Sequence, residues 1–305
     1  MSRHFSDVQL GSVELFCLAA EFGGFTAAAN EAGVTPAAVS RSVARLEARL
    51  GVRLFSRTTR KIALTDAGAT YHRQCRQALD QLIEAERDAG GRQTVPAGLI
   101  RMSLPTPYGQ FRVMPLLTEF RGRYPDVRFE VHMSNRNIDF VGDGYDIAVR
   151  ARTPPESGLI ARKLEDAGLA VVAAPDYLER AGTPETLEDL AGHDCIQFIL
   201  PSTGRPIPWS FMSEGRKVDI ATEGSCSCFE EVTAGVSMAL SGGGLYQIYR
   251  FFVEKQLERG ELVEVLQDYG GCSRPFSILY PHRSHLPLRV RTFVDFLLER
   301  IKQKA

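Results

Sequence analysis

The sequence predicts an α/β protein in three parts: a small, mainly helical N-terminal unit, one long helix, and a larger region in which strands and helices alternate. Three observations carry this. The stretch Phe25 to Lys61 reads as a short helix, a tight turn, a longer helix and a basic hairpin. From Tyr71 to Ala89, apolar residues recur four and three apart, the pattern of a long helix with one narrow apolar seam. From Leu99 onward, strand-sized apolar runs alternate with amphipathic helical ones, which implies parallel sheets covered by helices.

Between Val8 and Phe22, Leu10, Val13, Phe16, Cys17 and Ala20 keep a helical period, so a first helix packs beneath the next two. Ala27, Ala28 and Ala29 are strong helix formers, small enough for another helix to lie close over them. Gly33 can turn the chain after this helix, Thr35 offers an N-cap oxygen, and Pro36 sits where a first-turn proline is tolerated. Val39, Val43, Leu46 and Leu50 mark the buried face of the longer helix, leaving Ser40, Arg41 and Arg45 outward. Leu54 to Leu64 reads as a two-stranded hairpin with Arg57, Thr58, Thr59, Arg60 and Lys61 at its tip. Two helices joined by a short glycine-containing turn are the frame that lays a helix into the major groove of DNA. Long cations and hydroxyls at a hairpin tip suit phosphate or minor-groove contact.

Thr65 caps the long helix, which opens with Asp66. Its seam is Tyr71, Cys75, Ala78, Leu82, Ala85 and Ala89, ending at Gly90-Gly91. Such a stripe either meets a second copy of the helix or packs back on its own chain. Gln93 to Gly98 is a linker. Strands follow at Leu99–Leu104, Val127–Met133, Asp146–Arg150, Leu169–Ala174, Cys195–Ile199, Gly244–Ile248 and Ser277–Tyr280. Helices are expected at Phe111–Arg123, Asn137–Val141, near Phe229–Leu240, near Tyr249–Leu257, and at Pro287–Ile301.

Charge sharpens the picture. From Thr35 to Lys61 there are seven cations against Glu47 alone, a net +6 in a chain whose total is −1. A local basic patch on a near-neutral chain is the footprint of phosphate contact, with salt-dependent binding as its consequence.

The run from Gly33 to Thr58, GVTPAAVSRSVARLEARLGVRLFSRT, followed by LTDAG at Leu64–Gly68, resembles the winged helix-turn-helix of the LysR-type transcriptional regulators. Ala32 departs from the family, which more often has leucine before the turn. The remainder resembles the two-lobed α/β effector domain of that family, which shares its architecture with type II periplasmic binding proteins; the phrases YDIAVR, HDC and YPHR place it near one branch. The resemblance implies a DNA-binding unit at 1–64, a linker and dimerisation helix at 65–94, and an effector-binding domain at 95–305. Its first lobe would be about 95–164 with 270–305, its second about 165–269. It further implies a homodimer or homotetramer on a partly palindromic duplex operator, a small-molecule effector, and contact with RNA polymerase. Tyr71, Cys75, Ala78, Leu82 and Ala85 would carry the pairing.

Open α/β sheets bind ligands beyond the carboxyl ends of their strands. Here those ends are Pro105-Thr106-Pro107, Ser134-Asn135-Arg136 and Arg150. Free N–H groups and the Thr106 hydroxyl suit an anion, and Arg136 and Arg150 facing the cleft would favour acidic effectors. For Arg150, a salt bridge within the fold is the equal alternative. Phe198, Cys226 and Tyr246 resemble in position the family's effector-facing residues. Cys226 and Cys228, one residue apart on a strand, share a face, so either a thiol sensor or buried packing is implied.

At 305 residues the chain can hold more than one domain and a sizeable core. No apolar run approaches a membrane span, and MSRHFSDVQL lacks the apolar core of a signal peptide, so a cytoplasmic location is expected. Cys17, Cys75, Cys195, Cys226, Cys228 and Cys272 have no zinc-ribbon spacing, and His282 with His285 lacks further ligands. Gly242-Gly243-Gly244 lacks the lysine and hydroxyl of a phosphate loop. No catalytic set, metal or cofactor is therefore expected. A transport-type solute-binding protein is the alternative for the C-terminal region, though a basic winged helix precedes it.

Overall fold

The computed structural model describes residues 9–57, 62–89, 95–136, 140–151, 158–201, 203–282 and 286–303. Two compact units divide the chain, one of Met1–Thr94 with Val141–Gly144 and one of Val95–Phe140 with Tyr145–Ala305.

In the first unit, α1 (Leu10–Glu21), α2 (Phe25–Ala32) and α3 (Pro36–Leu50) precede an antiparallel pair, β1 (Phe55–Arg57) and β2 (Ile62–Leu64), and then α4 (Asp66–Ala89). Gly33 adopts the left-handed conformation (φ 65°) that ends α2, which a side chain with a Cβ adopts only at a cost. Phe16, Ala28, Ala29, Val39, Val43 and Leu46 close over one another with Leu54 and Phe55. Leu50, expected on the buried face, is exposed. Gly51, left-handed at φ 70°, ends the helix right after it, and Glu47 takes the last buried position instead.

The start of α4 is welded to this core. The Thr65 hydroxyl donates to the Arg53 carbonyl at 2.7 Å and accepts the Gly68 N–H at 3.0 Å. A Cβ at Gly68 would stand 2.0 Å from the Leu54 carbonyl oxygen, so only glycine fits. Tyr71 lies 5.6 Å from the Phe16 ring, and Tyr71, Cys75 and Leu79 pack on the unit's own core. The seam expected to be free for a partner is thus occupied intramolecularly over its first two turns. Ala78 and Leu82 remain exposed.

The second unit runs β3 (Gly98–Leu104), α5 (Thr106–Tyr108), a π-helical turn (Gly109–Val113), α6 (Met114–Arg123), β4 (Val127–Met133), β5 (Ile147–Arg150) and β6 (Leu159–Ala173), with α7 (Phe140–Asp143), which groups with the first unit from Val141 on, between β4 and β5. Next come α8 (Pro175–Ala181), β7 (Gln197–Leu200), β8 (Arg205–Pro206), β9 (Trp209–Ser213), β10 (Arg216–Ile220), β11 (Ser227–Phe229) and α9 (Val232–Leu240). Last are β12 (Tyr246–Tyr249), α10 (Arg250–Glu258), β13 (Val263–Val265), β14 (Ser273–Pro281) and α11 (Leu288–Lys302). Of the expected helix Asn137–Val141, residues 137–139 lie outside the described residues.

The main sheet corrects the expectation of parallel strands. Among the described residues its order is β12-β6-β14-β5-β3-β4, with β13 also on β6. Only β3 with β4 and β3 with β5 are parallel there; the other pairs are antiparallel. The cause is β6, whose 15 residues far exceed the expected Leu169–Ala174. Its first part pairs with β14, its last residues with β12 and β13. Leu164 joins a core with Phe120 and Phe293, while Val172 joins another with Val236, Tyr246 and Phe252.

Candidate functional site

Two places concentrate chemistry, one on each unit. On the first, Thr35 caps α3 by accepting the Ala38 N–H at 3.2 Å, and Pro36 occupies the first turn. The outward face carries Pro36, Ala37, Arg41, Ala44 and Arg45 exposed, with Ser40 half-buried. Ala37 and Ala44 escaped the sequence reading because alanine carries no polar signal, yet a methyl group on such a face matches a thymine methyl. Arg45 donates to the Ser42 hydroxyl at 3.4 Å, and that hydroxyl lies 3.3 Å from Ser12 on α1. Of the hairpin-tip residues, Arg57 closes β1 but its side chain is not described, and Thr58, Arg60 and Lys61 lie outside the described residues.

Glu47, read only as the lone acid of the basic stretch, fixes the hairpin to α3. One carboxylate oxygen accepts the N–H groups of Leu54 (2.8 Å) and Phe55 (3.1 Å), and the other meets Arg53 at 3.1 Å. Burial alone would raise its pKa; those backbone donors and the guanidinium outweigh it and hold the carboxyl below its ordinary value.

In the second unit a cleft of about 560 Å³ opens at the ends of β3, β5, β7 and β12. Of the residues expected there, Pro105, Pro107, Asn135, Arg150, Phe198 and Tyr246 line it. Thr106, Arg136 and Cys226 do not. The Thr106 hydroxyl instead donates to the Glu231 carboxylate at 3.4 Å, so the N-terminal end chosen for an anion already faces a carboxylate of the chain itself. Arg136 is exposed, and its carbonyl accepts from Arg150 at 2.9 Å. Cys226 is half-buried against the core containing Val236 and Tyr246, and burial next to Cys226 pushes the Cys228 thiol up to about 11. Ala85, whose side chain is not described, and His285, which lies outside the described residues, receive no placement.

Of the two alternatives for Arg150, the structure shows the one that faces the cleft, held there by neutral acceptors rather than by a salt bridge. Its guanidinium donates to the Ser103 carbonyl (3.1 Å) and hydroxyl (2.9 Å), the Val149 carbonyl (2.6 Å) and the Arg136 carbonyl. No ion pair links it to a carboxylate among the described residues. Burial lowers its pKa to about 10, which leaves it charged at neutral pH. Thr203, Arg205, Trp209, Gln247, Tyr249 and Arg274 also line the cleft, unanticipated. Gln247 is fixed by two hydrogen bonds to the Ser210 backbone, both 2.9 Å. Among the described residues, arginines stand at three lining positions and no aspartate or glutamate at any. Among the described residues, no group of histidine, cysteine or carboxylate side chains is arranged to hold a metal ion, and no helix is long and apolar enough to cross a membrane.

A capped helix-turn-helix with an antiparallel hairpin, joined in one chain to an α/β domain with a ligand-sized cleft, defines a ligand-responsive DNA-binding protein. Residues 10–69 match the bacterial regulatory helix-turn-helix family of lysR type, and residues 93–302 match the LysR substrate binding domain. The chain belongs to the LysR family of transcriptional regulators. It is 34% identical to the probable regulator LtrA of Klebsiella pneumoniae over 96% of this chain and 94% of that protein. It is 35% identical to the regulator CrgA of Neisseria meningitidis over 94% and 95%. Its fold resembles the solved structure of CrgA (TM-score 0.60, 33% identity, 95% and 98% covered). It also resembles that of AphB, a virulence activator of Vibrio cholerae (TM-score 0.61, 29% identity, 96% and 99% covered).

Proposed function

We propose that this LysR-type regulator works in the cytoplasm as a homodimer or homotetramer on a partly palindromic operator, and that an anionic small molecule in the cleft of the second unit controls it. The observation that carries the DNA reading is the exposed face of α3, where Arg41 and Arg45 project from a Thr35-capped helix inside a stretch of net +6. Thr35, Pro36 and Ser40 stand at the end that would enter the groove, with the hairpin on the flanking phosphates. The anionic character of the effector is supported by three cleft arginines with no acid among the described lining residues. The exposed part of α4, from Leu82, supports pairing between copies. Catalysis is not part of the proposal, and RNA polymerase is the partner through which a change on DNA would be read.

The test is a titration of duplex promoter DNA against scrambled competitor. Arg41→Ala should weaken specific binding by about 1–3 kcal/mol, and a lost phosphate contact should flatten the salt dependence by about one unit of slope. Arg162→Ala is the control, because Arg162 pairs with Asp295 at 2.8 Å on the second unit and should bind like the parent. Equal losses in the two variants contradict the assignment of α3.

A further inference from the structure

We propose that Arg274 on β14 is the residue that grips the effector's acidic group, and that the effector is an amphipathic monoacid with a flat apolar body. This rests on the second unit's cleft being the effector site. The sequence pointed to Arg150, but its hydrogen-bonding capacity is already used. An arginine side chain has five N–H donors. In Arg150, both terminal nitrogens each donate to two protein acceptors, at 2.6–3.1 Å, so only the Nε hydrogen remains. A two-pronged clamp on a carboxylate needs two donors side by side. Arg150 therefore supplies positive potential and a rigid floor, without a clamp.

Arg205 fails for a different reason. It is exposed, where water and salt screen its charge. Arg274 differs from both. It is half-buried and lines the cleft. Among the described residues it has one long bond, 3.4 Å to the Pro208 carbonyl, and a hydrogen bond with the Tyr249 hydroxyl. Three donors are left for a ligand, on a strand rather than a loop. No carboxylate of the described residues lies within ion-pairing distance of it; Asp219, held low first by the Ser210 hydroxyl and then by Lys217, feels its charge only at longer range.

The body of the ligand follows from what surrounds that cation. Phe276, two residues along the same strand and so on the same face, lines the cleft beside Tyr249, with ring centroids 5.0 Å apart. Phe276 is itself backed by Tyr108, stacked at 4.1 Å, so the ring cannot retreat. Trp209 completes the apolar wall. Phe276 and Trp209 are already shielded from water (0% and 3% exposed), so they form a dry floor beneath the half-buried Phe198, Leu200 and Ile207. A planar hydrocarbon fits that floor, whereas a small dicarboxylate would place its second charge against an apolar surface.

Trp209 is the only tryptophan of the chain and lines the cleft, so its fluorescence reports occupancy in the full-length protein. The probes are benzoate and 3-phenylpropionate, their primary amides, and succinate. The acids should bind at least tenfold more tightly than the matching amides and than succinate. Arg274→Met should remove that preference, and Arg274→Lys, which keeps the charge and loses the fork, should retain part of it. Equal binding of acids and amides by the parent protein, a comparison that needs no variant, overturns the proposal, as does acid binding untouched by Arg274→Met. Succinate binding as tightly as the aromatic acids overturns the apolar body. In each of those cases the cleft survives as the ligand site. If no probe of any charge perturbs Trp209, the proposal fails and the cleft reading with it.

Discussion

At the scale of single residues, Glu47 shows how an acid can serve a basic surface. Its carboxylate ties the first residues of the hairpin to the end of α3 through two backbone N–H groups and Arg53, so the start of the hairpin is fixed to the helix that carries Arg41 and Arg45. A carboxyl held below its ordinary pKa adds stability that is complete above the unfolded value, about 4.3, and is lost as pH falls through the folded value. Glu47→Gln removes the charge and one acceptor from a buried site and should cost about 1–3 kcal/mol at pH 7. Urea unfolding followed by helical circular dichroism should show the gap between parent and variant narrowing toward pH 4. A gap of the same size at both pH values would mean that the charged form carries none of it.

At the scale of elements, α4 has a first part welded to its own unit and, further along, described apolar residues that face solvent. Tyr71 and Cys75 lie in the core of their own unit, while Leu82 and Ile83 are 47% and 43% exposed. Tyr71→Ala should therefore act on folding, costing about 3 kcal/mol through the cavity beside Phe16. Leu82→Glu should leave the melting temperature nearly unchanged and shift the sedimentation coefficient toward the monomer. A fall in stability without dissociation would place Leu82 inside the fold. The same contrast explains what the sequence disclosed. Thr35, Pro36, Gly33 and the alanines of α2 announce the helix-turn-helix through local chemistry, and it forms as read. The first half of the long strand β6 has no apolar run to show it, because RKLED puts Arg162, Lys163 and Asp166 in solvent and even buries a charge, Glu165, against Arg112. The β9–β10 hairpin had its cue in Glu214-Gly215, both at positive φ (51° and 73°), but a polar flank hid it. The cleft was harder still. Arg274 lies in the first residues of β14, ahead of the expected Ser277, and Thr203 with Arg205 precedes β9 in a segment without periodicity. Long-range pairing brought these residues together, and no local pattern encodes it.

At the scale of the molecule, the core around Phe120 and that around Tyr246 are joined in two ways. Strands β6 and β14 carry the chain between them, and Thr106 with Glu231 and Asn135 with the Glu230 carbonyl bridge the rim. The strands are continuous backbone, while the rim contacts are single side-chain bonds that a ligand can outcompete. Such a domain can favour more than one arrangement, and an effector biases them only by binding one better than another. The same free energy must then appear at the DNA. If an acid bound in the cleft changes operator affinity by some factor, saturating operator DNA must change the affinity for that acid by the same factor, typically 5- to 150-fold. Titrating Trp209 fluorescence with the acid, with and without operator, gives one factor; a gel-shift titration at zero and saturating acid gives the other. Agreement within error is the expected result. Unequal factors would mean that the acid reaches the DNA-binding unit by a route other than the cleft, by direct competition for the basic face of α3.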